Sequence, residues 1–185
     1  MQTKEKIRLQ LKQQAKQFSP TYFILEDRAS VDALLECPSY RRCSTLFGFS
    51  PLASEVDITV VLEEAINHKK LALPRCIGDT LEFLFVEEGW DEHAEPSLLG
   101  VLEPPAGARA IPDSQTLILV PAMAYTPQGD RLGRGKGYYD RYLRQYPEAS
   151  TIGICRSYQM QKKLPTESWD MRVREVLCNG FIYRT

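Results

Sequence analysis

Apolar residues recur at helical spacing in two parts of the chain. In the first stretch they lie at steps of four, four and three, as on one face of a helix: Ile7, Leu11, Ala15 and Phe18. The pair Ser19-Pro20 is typical of an N-cap followed by proline at the first helical position, so a second helix is predicted from Pro20 to about Glu36. A third helix is predicted further on, where such a face recurs: Ile58, Val61, Leu62, Ala65 and Ile66.

Short apolar runs between these segments predict strands, at residues 45–49, 71–73, 81–86, 117–120, 151–155, 176–177 and 181–183. Pro74 is expected to end the second of them. Residues 117–120 are all apolar, as in a central strand that is buried on both faces. With a further helix predicted over residues 138–146, strands alternate with helices. This order predicts an α/β fold, with a mostly parallel sheet covered on both faces.

Composition narrows the class of protein. The 185 residues are 43% hydrophobic and 25% charged, which is ordinary for a globular protein. We expect one domain spanning residues 1–185. The 23 basic and 24 acidic residues nearly cancel, so no global field favours nucleic acid or membrane, and any anion site must be local. Two histidines are too few for a multi-histidine metal site.

Cysteine usage and hydropathy bear on the compartment. The five cysteines form no C-x-x-C pair, which argues against a zinc or thioredoxin-like site. The first 18 residues have charges among their apolar positions, unlike a signal peptide, and no apolar run approaches the ~18 residues that span a membrane. An odd number of cysteines without a secretory signal is typical of reduced thiols, so we expect a cytoplasmic protein.

One loop carries the strongest chemical signal, the segment GDRLGRGKGYYDR at residues 129–141. It follows the buried strand at 117–120 and opens the helix predicted from residue 138. Its alternating glycines allow the backbone N–H groups to approach a ligand, and its three cations and the helix N-terminus add positive charge. These residues are Gly133, Gly135 and Gly137 with Arg131, Arg134 and Lys136. The loop predicts a phosphate site at the carboxyl edge of the sheet.

Two common phosphate signatures do not account for this loop. A Walker A loop needs glycine where Asp130 stands and serine or threonine where Gly137 stands. The Rossmann fingerprint needs glycine at the position of Asp140. A flexible basic surface loop is the remaining structural interpretation.

The stretch from Pro121 to Arg141 resembles the signature of the 5-formyltetrahydrofolate cyclo-ligase family, P-x-x-A-F followed by G-x-R-L-G-x-G-x-G-Y-Y-D-R, with Tyr125 in place of the usual phenylalanine. Shorter segments match the family's pattern in the same order along the chain: Lys4-x-x-x-Arg8, Glu55-Val56-Asp57, Leu73-Pro74, Gly100 with Glu103-Pro104, Leu164-Pro165 and Trp169-Asp170. The resemblance therefore covers nearly the whole chain, and the glycine loop is its most specific part.

The resemblance implies a three-layer α/β/α fold and a ligase that uses ATP and Mg²⁺. Such an enzyme converts 5-formyltetrahydrofolate to 5,10-methenyltetrahydrofolate and releases ADP and phosphate. Phosphorylation of the formyl oxygen would create an imidate-like phosphate, and a neighbouring folate amine would close the ring as phosphate leaves. The implied partners are these two small molecules alone, with neither nucleic acid nor membrane, and we expect a monomer.

Site roles follow from the same resemblance. The implied ATP contacts are Lys4, Arg8, Arg131, Gly133, Arg134, Gly135 and Lys136. The implied folate contacts are Ser50, Glu55, Arg134, Gly135, Lys136, Gly137 and Tyr138. Asp140 and Asp170 are the implied magnesium ligands, and Lys136 and Arg134 the residues expected to act on the phosphoryl group. Either Tyr138 or Tyr139 could stack on the folate, with the other in the core.

Two other functions stay open from the residues alone. A sugar-phosphate isomerase or kinase of similar architecture would use the same anion loop without needing Glu55. A nucleic-acid-binding module would place the loop cations on phosphates, together with Arg141 and Arg144, and its binding would weaken steeply with salt. The chain lacks a broad basic face, which counts against the second alternative.

Overall fold

The computed structural model describes residues 3–97, 100–105 and 107–185. Its five α-helices are α1 (Lys4–Ala15), α2 (Pro20–Glu36), α3 (Pro38–Arg42), α4 (Thr59–His68) and α5 (Tyr138–Gln145). Short 3₁₀ turns lie at Trp90–His93 and Ser157–Gln159. The strands are β1 (Thr45–Phe47), β2 (Lys70–Ile77), β3 (Thr80–Val86), β4 (Glu95–Pro96), β5 (Leu102–Glu103), β6 (Arg109–Ala110), β7 (Thr116–Pro121), β8 (Ala124–Tyr125), β9 (Arg131–Leu132), β10 (Ser150–Cys155), β11 (Glu175–Cys178) and β12 (Phe181–Arg184).

Eight of these strands form one sheet in the order β12-β11-β10-β7-β1-β2-β3-β6. The five central strands, from β11 to β2, are parallel, and the outer strands β12, β3 and β6 pair antiparallel. From β1 the chain builds the sheet toward β3, and from β7 it builds toward β12. The sheet order therefore reverses between β1 and β7, and in open α/β sheets ligands bind outside the carboxyl ends of the strands at such a point.

Helices cover both faces of the sheet, which confirms the predicted α/β architecture. Leu117 and Leu119 of β7 join the apolar cluster beneath α2, α3 and α4. The alternate residues Ile118 and Val120 join the opposite cluster, beneath α5. Because successive strand residues point to opposite faces, a run that is buried on both sides must be apolar throughout, as this one is. None of the described helices has the length and hydropathy required to cross a bilayer.

Side-chain capping by hydroxyl residues fixes the first residues of helices α1 and α2. The Ser19 side chain accepts a hydrogen bond from the Tyr22 N–H and Pro20 occupies the first helical position, as the sequence predicts for α2. At the start of α1 the Thr3 side chain accepts from the Lys6 N–H. Helix α1 packs through Ile7 and Leu11 against a small cluster that includes Leu132 of β9, and this contact brings its polar face to the glycine loop.

Two strand boundaries differ from the prediction by more than one residue. Strand β2 continues through Pro74 to Ile77, because β3 pairs with it from Leu71 to Ile77 whereas β1 pairs only as far as Ala72. Beyond that point β2 has an unpaired side, where a proline without an N–H is tolerated. Strand β1 ends at Phe47 rather than at residue 49.

Gly153 of β10 lies against the fully buried ring of Tyr125. The Tyr125 hydroxyl donates to the Val120 carbonyl oxygen at 2.6 Å, so this buried tyrosine has a hydrogen-bond partner in the core. A Cβ added at position 153 would lie 2.4 Å from two atoms of that ring.

We therefore expect Gly153→Ala to lower the free energy of unfolding by about 1–3 kcal/mol, as overpacking of a close-packed core does. Chemical denaturation of the variant beside Ser150→Ala, an exposed position on the same strand, measures the effect. Equal stability of both variants and the parent chain would contradict this account of the packing.

Candidate active site

A cavity of about 510 Å³ opens at the carboxyl edge of the sheet, beside the point where the strand order reverses. Phe49, beyond the end of β1, and Pro121, the last residue of β7, both line it. All thirteen residues that the sequence singled out as site candidates line this cavity: Lys4, Arg8, Ser50, Glu55, Arg131, Gly133, Arg134, Gly135, Lys136, Gly137, Tyr138, Asp140 and Asp170. The fold thus brings together residues from both ends of the chain.

The glycine loop runs from β9 into α5 along one wall. Gly135 and Gly137 adopt φ angles of 103° and 69°, in the left-handed region that favours glycine. Gly137 is the N-cap of α5 and supplies no side-chain cap. Within the described part of the chain, no backbone hydrogen bond occupies the N–H groups of Gly135, Lys136 and Gly137. Free N–H groups at a helix start, next to cations, are well suited to bind an anion.

Lys136 differs from the other cations of the cavity. It is exposed, and among the described residues it forms no hydrogen bond or ion pair. Each of the other cationic side chains of the cavity has at least one partner: Lys4, Arg8, Arg131, Arg134, Arg141 and Arg144. The Lys136 ammonium is therefore available to a ligand without breaking a contact of the protein.

Glu55 and Arg134 form an ion pair across the cavity. Arg134 donates through Nε and Nη2 to Glu55 Oε1, at 3.2 and 2.8 Å, while the Leu52 N–H donates to Oε2 at 3.0 Å. The Arg134 Nη2 group also donates to the Ser54 hydroxyl at 3.0 Å. The Glu55 side chain is 8% exposed, so its hydrogen bonds hold it in one orientation at the wall.

Asp140 lies in the first turn of α5, as predicted, and pairs with Arg131. Arg131 Nη2 donates to Asp140 Oδ1 at 2.6 Å, and the Met171 N–H donates to the same oxygen at 3.0 Å. Among the described residues no hydrogen bond is directed at the second oxygen, Oδ2. The Arg131 side chain is 4% exposed, so the ion pair is buried on the loop side, and the bond from the Met171 N–H joins Asp140 to the C-terminal segment.

Lys4 joins the N-terminal helix to the C-terminal segment. Its Nζ donates to both oxygens of Asp170, at 2.9 and 2.6 Å, and to Glu167 at 2.7 Å. Burial lowers the pKa of Lys4, but the hydrogen bonds to Asp170 and Glu167 outweigh burial and raise this pKa above its ordinary value. One turn along α1, Arg8 donates through Nε to the Gly133 carbonyl at 2.9 Å. Helix α1 therefore contacts the glycine loop and Asp170 together.

The two tyrosines at the start of α5 have different surroundings. The Tyr138 hydroxyl donates to the Gly78 carbonyl at 3.0 Å, and Arg141 lies 5.3 Å from its ring centroid. The Tyr139 ring lies edge-on to Phe83, and its hydroxyl is buried without a partner among the described residues. Both tyrosines line the cavity, so neither is confined to the core.

The sequence did not identify several further residues of the cavity wall. Glu103 and Trp169 lay in matched segments but carried no assigned role, and Cys76 had no motif at all. Glu103 belongs to the β4–β5 excursion, the antiparallel pair of short strands Glu95–Pro96 and Leu102–Glu103, and it lines the cavity. Burial, reinforced by Glu103, raises the pKa of Cys76 to about 11, so this side chain is a neutral thiol at physiological pH. The Ser50 hydroxyl donates to the Leu102 carbonyl at 2.9 Å and so ties its loop to the same excursion.

The electrostatics of the cavity favour an anionic ligand. Its described lining contains seven cationic side chains and five carboxylates, namely Glu55, Glu103, Asp140, Glu167 and Asp170. Most of these carboxylates are neutralised by a neighbouring cation, and the free N–H groups and Lys136 lie on the glycine loop. The site can therefore hold phosphate charge at the loop while Glu55 presents acceptor oxygens elsewhere on the wall.

Comparison with known proteins points to one family. A family model described as the 5-formyltetrahydrofolate cyclo-ligase family matches residues 1–179. The chain is 27% identical over 157 residues to a probable 5-formyltetrahydrofolate cyclo-ligase of Schizosaccharomyces pombe, covering 76% of this chain and 77% of that one. It is 24% identical over 192 aligned positions to the mouse 5-formyltetrahydrofolate cyclo-ligase, covering 94% and 92%.

A solved structure shares the fold. The NMR structure of the 5,10-methenyltetrahydrofolate synthetase of Aquifex aeolicus superposes with a TM-score of 0.86 at 26% identity, covering 98% of this chain and 92% of that one. The similarity therefore extends over the sheet, both helical layers and the cavity edge.

Proposed function

The chain belongs to the 5-formyltetrahydrofolate cyclo-ligase family, and we propose that it catalyses the ATP- and Mg²⁺-dependent closure of 5-formyltetrahydrofolate to 5,10-methenyltetrahydrofolate, with release of ADP and phosphate. The observation that carries the proposal is that one cavity is lined both by Lys136, a glycine-loop lysine without a partner among the described residues, and by Glu55, a buried glutamate held in a fixed orientation. The first group suits a phosphate and the second suits the amino-pyrimidinone edge of a pterin.

Glu55 supports the folate half of the proposal. A carboxylate offers about four lone-pair positions, and Arg134 and the Leu52 N–H together use three of the positions on Glu55. One acceptor position remains for a pterin N–H, and the existing bonds hold the carboxylate in a fixed orientation. Ser50, Gly137 and Tyr138 complete the proposed folate contacts on the surrounding wall.

The glycine loop and α1 support the ATP half. Lys136 and the free N–H groups of the loop would bind phosphate oxygens, and Arg131, Gly133, Arg134 and Gly135 lie in the same loop. Lys4 and Arg8 face this loop from α1, through their contacts with Asp170 and the Gly133 carbonyl. The loop would thus meet both substrates where the phosphoryl group passes between them.

Asp140 fits a magnesium ion better than Asp170 does. No group of three or more potential metal ligands occurs among the described residues, so a protein-only cage is not supported. Mg²⁺ commonly takes one or two carboxylates and completes its coordination with phosphate oxygens and water. Asp140 has an oxygen that accepts no described hydrogen bond, whereas Lys4 holds both oxygens of Asp170. When bound, the ion would neutralise charge on the nucleotide phosphates.

The proposed reaction requires the protein mainly to position the two substrates and to neutralise the charge of the transferred phosphoryl group. The formyl oxygen attacks the terminal phosphorus of ATP and ADP leaves, which gives an imidate-like phosphate. The neighbouring folate amine then attacks the formyl carbon, and phosphate leaves as the ring closes, while the amine proton is released to solvent. Arg134 and Lys136 both line the cavity, and in this proposal they would hold the phosphoryl oxygens in both steps. Preorganised charge of this kind is the main catalytic device in phosphoryl transfer.

An absorbance assay for methenyl-folate tests the proposal directly. Purified protein should form the product from 5-formyltetrahydrofolate only when ATP and Mg²⁺ are both present, with one ADP released per ring closed. Product formation without ATP, or no product at all, would contradict it. A sugar-phosphate isomerase would need no ATP, and a nucleic-acid-binding module would form no product.

We also propose that the enzyme acts as a monomer in the cytoplasm. A single chain gathers the residues proposed to bind both substrates into one cavity, so the proposed contacts require no second copy. All five cysteines are free thiols, and four of them are buried, as suits a reducing compartment. Size-exclusion chromatography with light scattering, at the concentration of the activity assay, tests the oligomeric state.

Asp140→Asn should weaken the magnesium dependence of turnover. The amide oxygen can still accept from Arg131 and the Met171 N–H, but the second ligand oxygen becomes an NH₂ group and the charge is lost. We expect the Mg²⁺ concentration for half-maximal turnover to rise by on the order of 10-fold or more. Asp130→Asn, which alters an Arg–Asp pair outside the cavity, is the matched control. An unchanged magnesium titration would remove Asp140 from the metal role.

A further inference from the structure

Trp169 is an exposed aromatic side chain on the wall of the cavity. Its relative exposure is 54%, although indole is one of the largest apolar groups in proteins. Several other large apolar side chains are exposed in the described part of the chain, but of that set only Trp169 lines the cavity. An exposed apolar surface at a concave site is characteristic of a binding surface rather than of the core.

The backbone beneath this indole is held rigidly. The Glu167 N–H donates to Asp170 Oδ2 at 2.8 Å, and the Asp170 N–H donates back to the Glu167 carbonyl at 3.0 Å, which closes a tight turn around Trp169. Lys4 binds both acids of the turn. From α5, Arg144 donates through Nη2 to the Trp169 carbonyl at 2.7 Å.

Rigidity and exposure together distinguish Trp169 from a mobile surface residue. Lys4 binds Glu167 and Asp170, which lie on either side of Trp169, and the Met171 N–H donates to Asp140 Oδ1. Because this backbone is already ordered, the turn loses little conformational entropy when a flat ligand stacks on the indole. The turn therefore presents the indole as a preformed platform.

The side of the cavity on which the platform lies indicates its ligand. The turn contacts Lys4, Arg144 and, through Met171, Asp140, whereas the Glu55–Arg134 pair has no described hydrogen bond to it. In the proposed function Lys4, Asp140 and Asp170 serve the nucleotide and its metal. We propose that the Trp169 indole stacks on the purine base of the nucleotide substrate. This inference rests on the proposed use of ATP and adds the group that binds the base.

Substitution at position 169 separates stacking from a structural role. Base–aromatic stacking lost on substitution by alanine typically costs on the order of 10-fold in affinity. Trp169→Ala should therefore raise the KM for ATP by about 10-fold, with a far smaller change in the KM for folate and in kcat. Trp169→Phe keeps a flat ring and should recover most of the loss. A larger effect on the folate KM, or no rescue by phenylalanine, would overturn the proposal.

Fluorescence supplies a readout that needs no turnover. The chain has two tryptophans, and Trp90 lies in the 3₁₀ turn outside this cavity, so Trp90→Phe leaves Trp169 as the single indole. In this background, titration with ADP should quench the emission, whereas inorganic tripolyphosphate, which lacks a base, should not. Quenching by tripolyphosphate alone, or no response to ADP at saturating concentration, would contradict stacking.

The two experiments also separate this inference from the proposed function. Wild-type ring closure that depends on ATP, together with an unchanged ATP KM in Trp169→Ala, would reject the platform and leave the reaction intact. Quenching by ADP in a protein that forms no methenyl-folate would support the platform and reject the reaction.

Discussion

Lys136→Ala should reduce turnover by about 10²-fold or more, the scale seen when one preorganised charge donor is lost from a transition state. Lys136 is exposed and has no partner among the described residues, so the substitution removes no contact of the folded protein. Its neighbours Gly135 and Gly137 keep their left-handed conformations, and the loop should hold its shape. We therefore expect activity to collapse while stability changes by less than about 0.5 kcal/mol.

Ring closure and thermal melting should be measured on the same purified sample of this variant. Lys162→Ala is the matched control, because Lys162 is also exposed but does not line the cavity. Lys136→Arg keeps the positive charge but spreads it over a planar guanidinium, so it tests whether charge alone suffices or a compact ammonium is required. Near-normal turnover in Lys136→Ala would mean that Arg131 and Arg134 carry the phosphate charge without it. A large drop in melting temperature would instead indicate a structural role.

Glu55→Gln should raise the KM for folate by about 10- to 100-fold, the range expected when a hydrogen bond to a charged group is lost. Glu55 accepts from Arg134 on one oxygen and from the Leu52 N–H on the other. A glutamine side chain has only one oxygen. The NH₂ group that takes the place of the other oxygen must face either Arg134 or the Leu52 N–H, both of which are donors. The variant loses the ion pair as well as the acceptor position offered to the pterin, whereas the ATP contacts on α1 stay in place.

The ratio of the two KM values decides how this result is interpreted. Equal increases for folate and ATP would point to a structural role for the pair, since Arg134 belongs to the loop that is proposed to meet both substrates. Glu175→Gln is the control, because Glu175 also pairs with an arginine and accepts a further hydrogen bond, here from the Ser39 hydroxyl, but lies on β11 outside the cavity lining. It should leave both KM values unchanged.

Local sequence determined the elements and the chemistry of the loop. The step pattern from Ile7 to Phe18 predicted α1, and Ser19-Pro20 predicted the start of α2 to the residue, because a cap depends on contacts between neighbours in sequence. The run at residues 117–120 predicted the central strand β7. The glycines and cations of the loop predicted an anion site, since short-range backbone freedom and charge are properties of the segment itself.

Only the tertiary structure decided which residues act together. The Lys4–Asp170 contact joins residues 166 positions apart, and Glu55 meets Arg134 across 79 positions. The extension of β2 through Pro74 depended on where the neighbouring strand β1 ends. The turn that carries the exposed Trp169 is ordered only because Lys4 and Arg144, from distant parts of the chain, bind to it. Such pairings arise from the packing of the sheet and α1, so no local pattern could specify them. The sequence by itself determined the phosphate-binding loop and the helix starts, and the fold determined which partner each charge of the cavity meets.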